Sequence, residues 1–204
     1  MKVLPINAFE VEPWLLEKHY AKRMCPISYA FGLYIDEQLV GVVTYGMPAS
    51  PNLCMGVCGF DYKDKVLELN RLCLNDGVKN GASFLVSKSL QMLPKPTIVV
   101  SYADTAMGHV GYIYQASNFL FTGTTKERTD MAGEDGKHSR HSFGNSEIRV
   151  NRSAKHRYVY FVGSKSQKHN LLNQLNYEVL PYPKGDSQRY DSGTSVKTQQ
   201  LLFV

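Results

Sequence analysis

The sequence predicts an α/β protein, a mixed central sheet flanked by helices in a single domain. Three observations predict it. Two strand-like runs, residues 28–35 (SYAFGLYI) and 39–45 (LVGVVTY), are joined through Asp36, Glu37 and Gln38 as a hairpin. Strand and helix patterns then alternate from residue 66 to 121, the order of a sheet with helices packed on its faces. The length, 204 residues with 43% hydrophobic, suits one well-filled core.

In chain order, residues 9–23 read as a helix, with Pro13 in its first turn, carrying His19 and Tyr20. The hairpin follows, then a loop over 48–52 with two prolines. Residues 66–74 (VLELNRLCL) alternate apolar and polar positions, as a strand with one covered face does. Ala82, Leu85, Val86, Ser89, Leu90 and Leu93 fall on one helical face, and Pro94 and Pro96 end that helix. Residues 97–102 are a strand, 109–117 a short helix and 119–121 a strand again. Residues 124–151 nearly lack apolar side chains and read as a long polar insertion. Residues 158–163 return to strand, 166–175 to helix, and 180–184 are extended. The domain is thus expected over 1–185, with 186–204 as a loosely held tail unless residues 201–204 dock.

Composition narrows the class. The net charge of +5 permits a polyanionic partner without requiring one. Cys54 and Cys58 lack the spacing of a zinc pair, so Cys25, Cys54, Cys58 and Cys73 read as reduced, partly buried thiols. No apolar run reaches the ~20 residues of a membrane span. No N-terminal stretch has the build of a secretory leader, so an intracellular protein is expected.

Four constellations can carry chemistry. The first is the stretch 98–123, where Asp104 closes a strand and Tyr114 rides the helix beyond a glycine-bearing turn. Strand ends followed by helix starts are where α/β proteins hold ligands. Asp104 there can orient or deprotonate an amine, or simply cap a helix. Tyr114 can give a proton to a leaving thiolate, or be a buried phenol with a satisfied hydroxyl. The second is the turn 75–83 (NDGVKNGAS), whose glycines and helix start suit a pyrophosphate. The third is His19, Tyr20 and His109, a metal site if folding gathers them. The fourth is the basic segment 148–177, where Arg152, Lys155, Arg157 and Tyr158 stand without any Asp or Glu except beyond its ends. Arg140, in KHSRH, extends it. Cations on phosphates and aromatics on extruded bases make a nucleic-acid surface; a solvated basic face is the alternative.

The element order resembles the GNAT-type N-acetyltransferase superfamily, in which the turn before the first sheet-packed helix cradles the coenzyme A pyrophosphate. NGA at residues 80–82 is similar to that loop, without its usual opening residue or full glycine spacing. A closer resemblance is to the phage Mom family of DNA modification enzymes. It rests on HYAKR (19–23), LELNRLCLND (67–76), NGASFLVSKSL (80–90), the 101–123 block with GHVG inside it, KHRYVYF (155–161) and LPYPKG (180–185).

The resemblance implies a transferase that carbamoylmethylates adenine N6 in double-stranded DNA, using acetyl-CoA or a related thioester. It would shield phage DNA from restriction in the cytoplasm of a bacterial host. Val78, Lys79, Asn80, Gly81 and Ala82 would hold the coenzyme. Asp104, Tyr114, His19, Tyr20 and Ser83 would be the reacting groups. Arg140, Arg152, Lys155, Arg157 and Tyr158 would hold DNA. Attachment through a CH₂ asks for more than an acid and a base, which adds iron at His19, Tyr20 and His109 to the expectations. A homodimer is one assembly open to it. An ordinary N-acetyltransferase for a small amine or protein, and a non-catalytic DNA-masking module, are the alternatives.

Overall fold

The structure, a computed structural model, describes residues 1–131, 148–185 and 201–203. Seven strands form the central sheet in the order β1-β2-β3-β4-β5-β9-β6. They are β1 (Lys2–Pro5), β2 (Tyr29–Ile35), β3 (Gln38–Gly46), β4 (Val66–Leu74), β5 (Thr97–Asp104), β6 (Leu120–Thr124) and β9 (Lys155–Val162). Every neighbouring pair is antiparallel except β4 and β5. The mixed sheet is therefore the one expected. β1 was not expected; it pairs with β2 as an edge, Lys2 opposite Tyr34.

The hairpin turn fits its residues. Asp36 and Glu37 both take positive φ, 47° and 65°, the twist that lets two residues join twisted strands. Helix α1 (Ala8–Pro13) starts on a capping box: Asn7 Oδ1 accepts from the Glu10 N–H, and Glu10 Oε2 accepts from the Asn7 N–H, both at 3.1 Å. The chain then widens into one π-helical turn, Trp14–Lys18, closed by the His19 N–H on the Trp14 carbonyl at 2.8 Å. Helix therefore ends five residues earlier than expected, and His19 and Tyr20 stand in the segment after it.

Helix α2 (Pro51–Cys58) occupies a region expected to begin as loop. Its Cys54 and Cys58 are buried, and burial raises both thiols, so they behave as packing groups. Helix α3 (Gly81–Met92) buries the predicted face, Leu85, Val86, Ser89 and Leu90. Ser89 is satisfied there by Tyr45 Oη at 2.7 Å and by the Val86 carbonyl at 3.0 Å.

The polar insertion is not all loop. β7 (Arg128–Met131) and β8 (Ile148–Arg152) pair antiparallel, and β10 (Leu201–Phe203) adds to β8, so a second, three-stranded sheet stands at the ends of the insertion. Helix α5 (Lys165–Asn173) has its own capping box, Ser164 with Gln167. Among the described residues, no helix is long and apolar enough to cross a membrane.

The turn from β5 into helix α4 (Tyr112–Ala116) is built around Tyr158 of β9. Tyr158 is fully buried, and its hydroxyl donates to the Val110 carbonyl at 2.5 Å and accepts from Gln115 Nε2 at 3.2 Å. Gly111 lies flat over that ring with φ 75°, and a Cβ there would come within 2.4 Å of it. Gly111→Ala is expected to cost about 2–4 kcal/mol through overlap and positive-φ strain, read from urea unfolding. A midpoint equal to the wild type's would show that the ring has room to yield.

Candidate functional site

The site exists because two parallel strands part. β4 and β5 pair only at Val66–Ile98, Leu67–Val99 and Glu68–Val100, yet β4 runs on to Leu74 and β5 to Asp104. A bulge explains the divergence. Across β3, Tyr45 faces Leu69 and Thr44 faces Arg71, so Asn70 is an extra residue that bends β4. Asn70 is tied in place. Its Oδ1 accepts from Thr44 Oγ1 at 2.5 Å and from Cys25 Sγ at 3.4 Å, and its Nδ2 donates to the Pro26 carbonyl at 2.7 Å. Across the gap, Ser101 Oγ of β5 donates to the Leu69 carbonyl at 2.9 Å, pairing one acceptor that the divergence would strand. A cavity of about 580 Å³ occupies the opening.

One end of the cavity is the turn from β4 to α3. Val78, Asn80, Gly81, Ala82 and Ser83 line it; Lys79 is exposed and does not. Gly77 and Asn80 take φ of 79° and 56°, and a Cβ on Gly81 would meet Val78 at 2.4 Å, so the turn is as tight as backbone allows. The first N–H groups of α3 lie at this end, the kind of place where anions are held. Ser83, expected among the reacting groups, donates its Oγ to the Asn80 carbonyl at 3.2 Å and so belongs with this turn.

The middle holds Tyr114 and Glu68. Tyr114 lies near Ser101, and its ring packs on Phe119 and Tyr158 at 5.5 and 5.3 Å between centroids. Burial pushes its hydroxyl up to about 12, so at neutral pH it is a proton donor. Glu68 was not singled out from the sequence. It is the last residue of β4 to pair with β5, and burial raises its carboxyl against the pull of Arg71 and Lys155. The sole carboxylate of the strand VLELNRLCL, two residues before Asn70-Arg71, was the available signal.

Asp104 stands differently from expectation. It does not line the cavity, and its carboxylate is committed to structure. It accepts from the Ala106 N–H at 3.1 Å, from Ser153 Oγ at 2.5 Å and from Lys155 Nζ at 3.3 Å. It caps the short turn after β5 and ties that turn to the start of β9.

His19, Tyr20 and His109 do come together at the cavity wall, but as an aromatic stack. His19 lies on Tyr20 at 4.5 Å, and Tyr20 meets His109 edge-on at 6.3 Å. His19 Nδ1 accepts from the Ala21 N–H at 3.0 Å. Asp104, the carboxylate that would complete a ligand set, is engaged elsewhere. Among the described residues, no group of three or more His, Cys, Asp or Glu is placed to hold a metal ion. The expected iron centre therefore lacks a fitting donor set.

His19 is nonetheless informative. Burial first, then Arg71 and Arg23, push its imidazole down to about 3. The unfolded chain takes a proton below about pH 6.5 that the native protein refuses, so stability falls as pH drops from 6.5 toward 3. Between pH 7.5 and 5 the His19 share is about 2 kcal/mol. His19→Asn, which keeps an acceptor for Ala21, is expected to flatten the urea-midpoint profile by that amount. An unchanged profile would mean that His19 protonates freely in the fold.

The DNA residues expected from sequence scatter. Tyr158 is buried beneath Gly111 and offers no face to a base. Arg157 stacks on Tyr177 at 3.4 Å and donates to Thr122 Oγ1 and to the Thr122 carbonyl, so it serves the sheet. Lys155 lines the cavity, paired with Asp104. Arg152 is half-buried near Arg23, and Arg140 lies outside the described residues.

Comparison with known proteins adds the following. A family model described as the Mom protein family matches residues 1–184. Methylcarbamoylase mom of Escherichia phage Mu is 29% identical over 207 residues, covering 90% of this chain and 84% of the relative. Among solved structures, a probable acetyltransferase from Staphylococcus epidermidis superposes with a TM-score of 0.49 at 8% identity, over 78% of this chain and 98% of that one. The ribosomal-protein-S18-alanine N-acetyltransferase from Escherichia coli gives 0.47 at 8% identity, over 79% and 94%.

Proposed function

Because the chain belongs to the Mom protein family, we propose that it is a phage-type DNA modification enzyme, a transferase that places a carbamoylmethyl group on adenine N6. The observation that carries this reading is the cavity between the parted strands, with an anion-type helix start at one end and the Tyr114 phenol within. A coenzyme A thioester such as acetyl-CoA is the donor this arrangement suits. Joining its methyl carbon to N6 also takes a two-electron oxidant, and conversion of the thioester to the amide takes an ammonia-level nitrogen donor, with the coenzyme A thiol as leaving group. Its pyrophosphate lies on the turn at Val78 to Ala82, and its reacting end reaches the gap where β4 has left β5. An adenine extruded from the duplex enters the same gap, since its N6 is otherwise held inside the base stack. Tyr114 keeps a proton beside the reacting centre, and Glu68 offers an acceptor for the N6 amino group. The modification shields phage DNA from restriction in the cytoplasm of the bacterial host.

Nucleoside mass spectrometry of DNA from cells expressing the soluble protein tests the reading. Carbamoylmethylated deoxyadenosine is expected. Unmodified deoxyadenosine throughout, together with acetylation of an added amine, would make the chain an ordinary N-acetyltransferase instead.

A further inference from the structure

Arg71 in the cavity wall, and Arg23 on the segment that follows the wall residue Tyr20, are left unused by the reading above. Arg71 follows the bulge residue on β4 and lines the cavity. Its Nη1 donates to the Asn70 carbonyl at 2.6 Å, while its Nε is buried with no hydrogen-bond partner. Arg23 is exposed on the segment between the π-helical turn and β2, within electrostatic reach of Arg71 and three residues after Tyr20 of the cavity wall. That segment is fixed by the bulge itself: Asn70 holds both Cys25 and the Pro26 carbonyl, and the Lys22 N–H donates to the His19 carbonyl at 2.9 Å. Arg23 is therefore held where it is by the same residue that opens the cavity.

Two guanidinium groups within electrostatic reach of each other repel one another. Burial first, then Arg71 and Arg152, depress Arg23, while Tyr20 and Cys25 act the other way. Glu68 faces Arg71 from within the cavity and offsets part of its charge. Such a pair is stabilised by an anion that both can grip, and phosphate oxygens match the planar fork of arginine.

We propose that Arg23 and Arg71 form a phosphate subsite at the mouth of the cavity, taking a backbone phosphodiester of the DNA strand whose adenine enters it. This rests on the DNA-modification reading. An extruded base keeps its backbone attached, so its flanking phosphates stay at the mouth, where one arginine is exposed and the other lines the wall. The coenzyme's pyrophosphate has its own place at the turn beginning four residues further along from Arg71.

The test is binding of a labelled duplex against salt by the wild type, Arg23→Gln and Arg23→Lys, with coenzyme A affinity measured in parallel by calorimetry. Arg23→Gln is expected to make the slope of log K on log salt shallower by about 0.9, one phosphate contact. Arg23→Lys keeps the slope, and coenzyme A affinity stays unchanged in both. A set of duplexes with single neutral methylphosphonates serves as the second measurement: one position should weaken the wild type and leave Arg23→Gln indifferent. A wild type that binds DNA with an Arg23→Gln slope equal to its own overturns the subsite alone. Loss of coenzyme A affinity with DNA binding intact assigns the phosphate to the thioester and overturns it too. A wild type that binds no duplex overturns both the subsite and the DNA reading.

Discussion

Replacing Tyr114 by Phe is expected to lower adenine modification by about 100-fold or more, while the protein folds and binds DNA as the wild type does. The substitution removes one oxygen and little else. The ring keeps its packing on Phe119 and Tyr158. Ser101 keeps its bond to the Leu69 carbonyl, so the gap between β4 and β5 stays pinned. What disappears is a proton donor held at the parting of the strands, whose hydroxyl burial keeps protonated well past neutral pH. Positioned acids of this kind contribute about 10²–10⁴ in rate. The measurement is modified deoxyadenosine per total deoxyadenosine at matched protein levels, with duplex affinity alongside. Wild-type modification in the variant would remove Tyr114 from the chemistry and leave it as packing.

The parts of this molecule that obey a simple period were open to reading. The face of α3 repeats at helical spacing, and the hairpin has three polar residues, Asp36, Glu37 and Gln38, between apolar runs, so both could be placed. The bulge at Asn70 could not. It shifts β4 by one residue, so the buried positions Val66, Leu69 and Cys73 follow no alternation, and Glu68 and Arg71 do not announce that they face a cavity. Tyr114, expected as a proton donor, lines the cavity, and it could be singled out because strand end, turn and helix start follow one another locally. Tyr158 and Arg157 were misjudged for the converse reason. Their company, Val110 and Gly111 for one and Thr122 and Tyr177 for the other, is distant in sequence, and a basic, aromatic strand looks the same whether it faces DNA or its own sheet. Long-range partners also decide Asp104, whose engagement by Ser153 and Lys155 no local pattern could show.

Asp104→Ala is accordingly expected to weaken the fold before it touches the chemistry. Three donors converge on this carboxylate, which is 8% exposed. The Ala106 N–H loses its cap, worth about 1 kcal/mol. Ser153 loses a charge-assisted bond, worth about 1.5–3 kcal/mol. Lys155 adds little, because its side chain is 42% exposed and can turn to water. The sum is about 2–4 kcal/mol, or a fall in melting temperature of roughly 5–15 °C for a chain of this size. Asp104→Asn, which retains an acceptor for both the cap and Ser153, should lose less than half of that. A variant held folded at low temperature should recover much of its modification activity. An Asp104→Ala protein that melts with the wild type yet stays inactive at every temperature would place the carboxylate among the reacting groups instead. The geometry argues against that result: an acceptor already holding a backbone N–H, a serine and a lysine has little left to offer an adenine, whereas Glu68, raised by burial and facing the cavity, has not been spent.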